Sequence, residues 1–217
     1  MRYQYVLFDL DGTLIDSRAV LAKAAAYSLE QCNAASLITP ELILRFFGAP
    51  LYEAFNSFCG MSDQESKKAV KAFESYYLRE CIYGAVLFDG MADALQALNE
   101  AGIRLALATN GAQSNAVRVL EHLGVARYFA AICGLSALGA DETKVDVINK
   151  ALRLLQAEDR RQAVMVGDRC YDMDAAKLCG LDTIGAVYGY GAAEELTACK
   201  PTSMAYTVSE LLSLLLT

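Results

Sequence analysis

Two short runs place carboxylates where an apolar segment ends. In "YVLFDLDGT" the apolar residues Tyr5 to Phe8 lead to Asp9 and Asp11 on either side of Leu10, and the chain turns at Gly12. In "AVMVGDRCYD" a second apolar run leads to Asp168 and then Asp172. Aspartate and glycine are ordinary turn residues, so either run alone reads as a solvated turn. Two such runs meeting at one sheet edge are different: four acids would repel one another, and some would be forced to take up protons. A divalent cation removes that conflict. Oxygen ligands, with no histidine or cysteine ligand set, favour Mg²⁺ over zinc.

The elements that must position these acids follow from the apolar pattern. Short runs ending at polar or glycine-rich turns recur as "YVLFD", "IRLALATN", "YFAAICG", "AVMVGD" and "DTIGAVY". Helical patterns separate the later runs: Asp93 to Glu100, Ser114 to Leu123, Thr143 to Leu155, Tyr171 to Cys179 and finally Val208 to Leu216. Alternating apolar strands and helices predict an α/β fold, a parallel sheet covered on both faces. In such sheets ligands bind beyond the carboxyl ends of the strands, and Asp9, Thr109 and Asp168 are expected there. The alternation breaks between about Ile15 and Ala85, which reads as helix throughout. Thr39-Pro40-Glu41 supplies an N-cap, a first-turn proline and an acid. Ser62 to Glu65 makes a capping box ahead of Val70, Phe73 and Tyr77. This predicts a helical cap over residues 15–85, inserted into a core formed by 1–14 and 86–217.

Composition narrows the function class. At 217 residues and 55% hydrophobic, the chain can bury a large core. No apolar stretch approaches the roughly eighteen residues of a membrane span, and a core strand starting near Tyr3 leaves no room for a signal peptide. The net charge is −7 with no basic cluster, so nucleic acid is not an expected partner. The seven cysteines are scattered without a C-x-x-C pair and read as reduced thiols, which predicts a cytoplasmic protein.

Four motifs in order give the chain a clear resemblance. It resembles the haloacid dehalogenase superfamily of phosphohydrolases through "DLDGT", Thr109-Asn110, Lys144 and "GDRCYD". The likeness spans the whole chain and implies a Rossmann-like core with a helical cap inserted after the first motif. It also implies roles. Asp9 is the nucleophile that forms an aspartyl-phosphate, and Asp11 is the general acid and then the base. Asp9 and Asp168 hold Mg²⁺ by their side chains and Asp11 by its backbone carbonyl, while Asp172 ligates through water or steadies the site. Thr109 and the Asn110 amide grip a phosphoryl oxygen, and Lys144 brings positive charge to it. Alternation along a strand puts Asp9 and Asp11 on one side, facing phosphorus and leaving group.

Other residues carry blander readings too. Thr109 could start a helix, Lys144 could be a solvated first-turn lysine, and His122 reads as structural. Arg169 and Tyr171 could pack locally. "YGYG", with Tyr188 and Tyr190, reads either as a turn with core tyrosines or as the loop beside the fourth motif in phosphoglycolate-phosphatase-like and nucleotidase-like members. "FFGAPL" at 46–51 resembles the cap's substrate-facing loop in the phosphoglycolate-phosphatase-like group. The sugar-phosphate mutases carry an arginine near the position of Leu51 that this chain lacks, and the dehalogenases lack an equivalent of Asp11. The third motif, "DETKVDVI", lacks the proline that often follows its lysine. The expectation is a Mg²⁺-dependent phosphatase of small phosphate monoesters, phosphoglycolate-like or nucleoside 5′-monophosphate-like. The alternatives are a phosphomutase of the β-phosphoglucomutase type and a catalytically silent phosphate-binding protein.

Overall fold

The computed structural model describes residues 2–136 and 142–217, and the side chain of Cys81 lies outside the described residues. Its centre is a six-stranded sheet of β1 (Tyr5–Phe8), β4 (Arg104–Ala112), β5 (Phe129–Leu135), β6 (Ala163–Gly167), β7 (Asp182–Ala186) and β8 (Ser203–Ala205). The order is β5-β4-β1-β6-β7-β8 and every pairing is parallel. Successive side chains of a strand point to opposite faces, and both faces here are apolar. Val6, Phe8, Leu105, Leu107, Val164 and Val166 pack on one side with residues of α5 (Met91–Glu100), α6 (Gln113–His122) and α10 (Val208–Leu216). Leu7, Ala106, Ala108 and Met165 pack on the other with α7 (Lys144–Leu155) and α8 (Cys170–Leu178). A short helix, α9 (Ala193–Ala198), lies between β7 and β8.

Parallel pairing brings the ends of β1, β4 and β6 to one edge. Asp9 follows Phe8, Asp168 follows Gly167, and the β4–β5 register breaks between Ala108 and Ala112, around Thr109 and Asn110.

Between β1 and α5 the chain is helical: α1 (Arg18–Gln31), α2 (Pro40–Phe46), α3 (Leu51–Glu53) and α4 (Asp63–Tyr76), with π-helical turns at Ala54–Phe58 and Tyr77–Cys81. Thr39 caps α2 by accepting from the Leu42 amide, and Ser62 with Glu65 forms the capping box of α4. Tyr27 of α1 stacks on Tyr76 of α4 at 4.4 Å between ring centres, and Phe46 meets Phe55 edge-on at 5.0 Å. The helices leave and rejoin the sheet at one place, because β2 (Ile15–Asp16) pairs antiparallel with β3 (Val86–Leu87). Among the described residues no helix is long and apolar enough to cross a membrane.

The cysteines need a correction. Cys170 and Cys199 are joined as a disulfide between the start of α8 and the end of α9, where all seven had read as thiols. Their Cα atoms are 5.9 Å apart, a normal bridging distance, across a sequence separation of 29. Only the fold brings them together. Cys32, Cys59, Cys133 and Cys179 are free thiols.

Candidate active site

Three carboxylates meet at the sheet's carboxyl edge. Oxygens of Asp9, Asp168 and Asp172 all lie within 4.8 Å of one another, and all three residues are buried. The Asp9 amide donates to the Val166 carbonyl at 2.9 Å, which ties the residue to the neighbouring strand. Asp172 sits in the first turn of α8, where its side chain accepts from the Arg169 amide at 3.2 Å. Lys144, the first residue of α7, points into the same cluster: Nζ is 2.6 Å from Asp9 and 2.7 Å from Asp172. It is only 7% exposed, so the solvated-lysine reading does not hold.

Burial sets the protonation of this group. It pushes Asp9 up to about 7 even though Lys144 pulls the other way, and Asp172 adds to the rise. Asp168 is raised well above the usual carboxylate range by burial, then by Asp172 and Asp9. Burial alone would lower Lys144, but Asp172 and Asp9 outweigh it and hold the ammonium above its ordinary value. The ledger of charge is three carboxylates against one ammonium, an excess of anion that a divalent cation fits. The donors are all oxygen, as a hard cation requires. Asp9, Asp168 and Asp172 fit magnesium.

Asp11 stands apart from that cluster. Its carboxylate accepts a hydrogen bond from Ser17 Oγ, which in turn is 3.0 Å from Tyr190 Oη. The Ser17 amide donates to Tyr190 Oη at 2.6 Å. Burial raises the Asp11 carboxyl, opposed by the Ser17 hydrogen bond and by Lys144.

The tyrosine-glycine loop completes this side. The Tyr190 amide donates to Asp168 Oδ2 at 2.8 Å, and Tyr188 Oη donates to the Thr13 carbonyl at 3.0 Å. Two glycines make the approach feasible. Gly12 has φ +81°, and a Cβ there would run into the Asp168 carboxylate; a Cβ at Gly189 would meet the Gly12 carbonyl and Asp168. Features of both readings of "YGYG" are present: the segment is a turn whose Tyr188 packs on the core, and its Tyr190 amide reaches Asp168 of the fourth motif. Ser17 and the tyrosine hydroxyls had no signal in the sequence, because the contacts join positions some 173 residues apart.

Thr109 is buried and its hydroxyl accepts from the Gly111 amide at 3.1 Å. It does not cap α6, whose N-cap is Ala112. Asp9, Asp11, Thr109 and Asn110 line one cleft together with Leu21, Phe46, Leu51, Phe73 and Tyr77 of the helices. Arg169 and Tyr171 reach beyond their own neighbourhood. Arg169 donates to Glu195 at 2.9 Å and to the Phe47 carbonyl, and Tyr171 Oη donates to Glu53 at 3.1 Å. His122 packs against Tyr83 with the rings tilted and their centres 4.6 Å apart, away from the cleft lining.

A family model of haloacid dehalogenase-like hydrolases matches residues 6–186. The chain belongs to that family. Over 96% of its length it is 36% identical to the tyrosine-protein kinase PtkA of Mycobacterium tuberculosis, covering 71% of that protein. It is 31% identical to a 5′-nucleotidase of Pseudomonas aeruginosa, over 93% of this chain and 90% of the other. A crystal structure of a predicted phosphatase from Clostridium acetobutylicum superposes with a TM-score of 0.94 at 33% identity, covering 100% of this chain and 99% of that one.

Proposed function

We propose that this hydrolase is a Mg²⁺-dependent phosphatase of small phosphate monoesters that works through an aspartyl-phosphate on Asp9. The observation that carries the reading is the buried cluster of Asp9, Asp168, Asp172 and Lys144, whose Asp9 lines a cleft together with Asp11. Relatives named for phosphate chemistry support it.

Each residue has a task in this scheme. Asp9 attacks phosphorus as the ester's P–O bond breaks, and protonated Asp11 passes its proton to the departing oxygen. Water then attacks the aspartyl-phosphate. Asp11, now the base, takes the water's proton, orthophosphate leaves, and the Asp9 carboxylate returns. Lys144 and the Thr109–Asn110 turn hold phosphoryl oxygens, since phosphoryl transfer depends mainly on positioning and charge neutralisation. Asp9 and Asp168, with the Asp11 carbonyl, would hold magnesium, and Asp172 would support them. Bound there, the cation supplies positive charge to the phosphoryl oxygens and relieves repulsion among the acids. The helices of residues 15–85 act as a cap that excludes water and faces the leaving group.

The test is phosphate release from a panel of metabolite esters with Mg²⁺, joined to mass spectrometry of the trapped enzyme. The wild type should carry a phosphoryl group on Asp9 and Asp9→Asn should carry none. Near-normal turnover by Asp9→Asn would refute the nucleophile. The name of the mycobacterial relative raises a different acceptor, a protein tyrosine; transfer of label from the phosphoenzyme to a tyrosine peptide in preference to water would favour it.

A further inference from the structure

The cleft that begins at Asp9 and Asp11 changes character with distance from them. Its phosphate end is polar, with Thr109, Asn110 and Gly111. The rest of the lining includes Leu21, Phe46, Leu51, Phe73, Tyr77 and Val119, and its polar groups are neutral, the amide of Asn115 and the hydroxyl of Tyr77. Among the described residues no lysine, arginine or histidine lines it. Met1 and residues 137–141, outside the described residues, include no lysine or arginine either.

The cations on the bordering elements are either held by other groups or exposed outside the lining. Arg18 grips Asp16 through two nitrogens, at 3.0 and 2.5 Å. Arg45 lies over the Phe58 ring at 4.2 Å, and Arg118 donates to Tyr83 Oη at 3.2 Å. Arg169 is held by Glu195 and the Phe47 carbonyl. Lys23, Lys68 and Lys71 of α1 and α4 are exposed and are not part of the lining. Lys144 is paired with Asp9 and Asp172 at the phosphate end and is not part of the lining.

A second anionic group on the substrate would therefore lose its hydration without gaining a counter-charge, which is strongly unfavourable. An apolar leaving group would gain by burial against the leucines and aromatic rings. We infer that the substrate's leaving group is an uncharged, largely apolar alcohol carrying a ring or a branched chain, rather than one bearing a carboxylate or a second phosphate. This rests on the phosphatase reading above and sharpens it, since it turns away from phosphoglycolate-like esters. Asn110 and Asn115 suit a hydroxyl or ether oxygen on that alcohol.

Benzyl phosphate and 2-phosphoglycolate are both esters of primary alcohols, so their comparison isolates the pocket from leaving-group chemistry. With Mg²⁺, kcat/KM for benzyl phosphate should exceed that for 2-phosphoglycolate by roughly tenfold or more. Leu51→Arg and, independently, Asn115→Arg each place a cation in the wall and should lower that ratio by about tenfold. Both positions are partly exposed, so either variant has a route for its charge to solvent, and circular dichroism confirms the fold. Equal or inverted preference in the wild type, or an unchanged ratio in both folded variants, overturns the inference. Phosphorylation of Asp9 by acetyl phosphate separates the two levels. If Asp9 is labelled while the ester ranking fails, only the pocket reading falls. If there is no label and no ester is turned over, the phosphatase reading falls and this one with it.

Discussion

Ser17 is the first residue of the helical segment's N-terminal boundary, yet its hydroxyl makes no bond to the amides of α1. It donates to Asp11 and contacts Tyr190 instead. Ser17→Ala therefore removes a support of the proposed acid without removing a helix cap. Hydrogen bonds to charged groups contribute about 1.5–3 kcal/mol, so kcat for an alkyl ester should fall on the order of tenfold. The melting temperature should fall modestly as well, since the change deprives Asp11 and Tyr190 of a buried partner; a lower melting temperature with unchanged kcat would mean that Ser17 is structural only. Asp11→Asn goes further, with a loss of about 10²–10⁴ in rate, while Mg²⁺ affinity, measured by calorimetry, should persist because the Asp11 carboxylate lies outside the acid cluster. At this scale much of the site was legible. Asp9, Asp11, Asp168 and Asp172 stood at the ends of apolar runs, and the fold brings three of them together with Lys144. Ser17 and Tyr190 were not legible, because a serine before a helix and a tyrosine in a glycine-rich turn each have common local uses.

Elements carry the acids to one another through turns that leave little space. At Gly12 the backbone needs a left-handed conformation and the Asp168 carboxylate occupies the place a Cβ would take. Gly12→Ala should cost about 1–3 kcal/mol from backbone strain alone, read as a lower urea midpoint with an unchanged m-value. Mg²⁺ should also bind more weakly, since relief of the clash displaces Asp168. A variant with wild-type midpoint and metal affinity would show that the turn relaxes freely. The long apolar runs were readable as strands because a buried parallel strand is apolar on both faces. Three short strands were not. β2 and β3 have two residues each and β8 has three, too few to show a period, and each is defined by its partner rather than by its own pattern. Arg169 and Tyr171 were likewise opaque: their partners Phe47 and Glu53 lie in the helical segment, and a side chain's reach across the molecule leaves no mark on nearby residues.

The molecule as a whole holds a buried cluster with more negative than positive charge, and that has a consequence for stability as well as for catalysis. Without a cation, Asp168 is buried beside Asp9 and Asp172, which raise its proton affinity. A ligand that binds only the folded state stabilises it by RT ln(1 + [L]/Kd), about 2.7 kcal/mol at a hundredfold excess over Kd. Saturating Mg²⁺ should therefore raise the melting temperature, and excess chelator should reverse the rise and abolish turnover. Ca²⁺ should restore activity poorly, because its larger and looser shell misplaces the reacting groups. Asp168→Asn separates charge from coordination. At a pH high enough to ionise Asp168, an amide of similar shape removes a buried negative charge, so there the metal-free variant should melt at a higher temperature than the metal-free wild type. The same amide is a weaker ligand, so the Mg²⁺-dependent rise should shrink or vanish and activity should be lost with it. A variant that melts lower without metal, yet keeps the full Mg²⁺-induced rise, would place the cation elsewhere and leave Asp168 a structural residue.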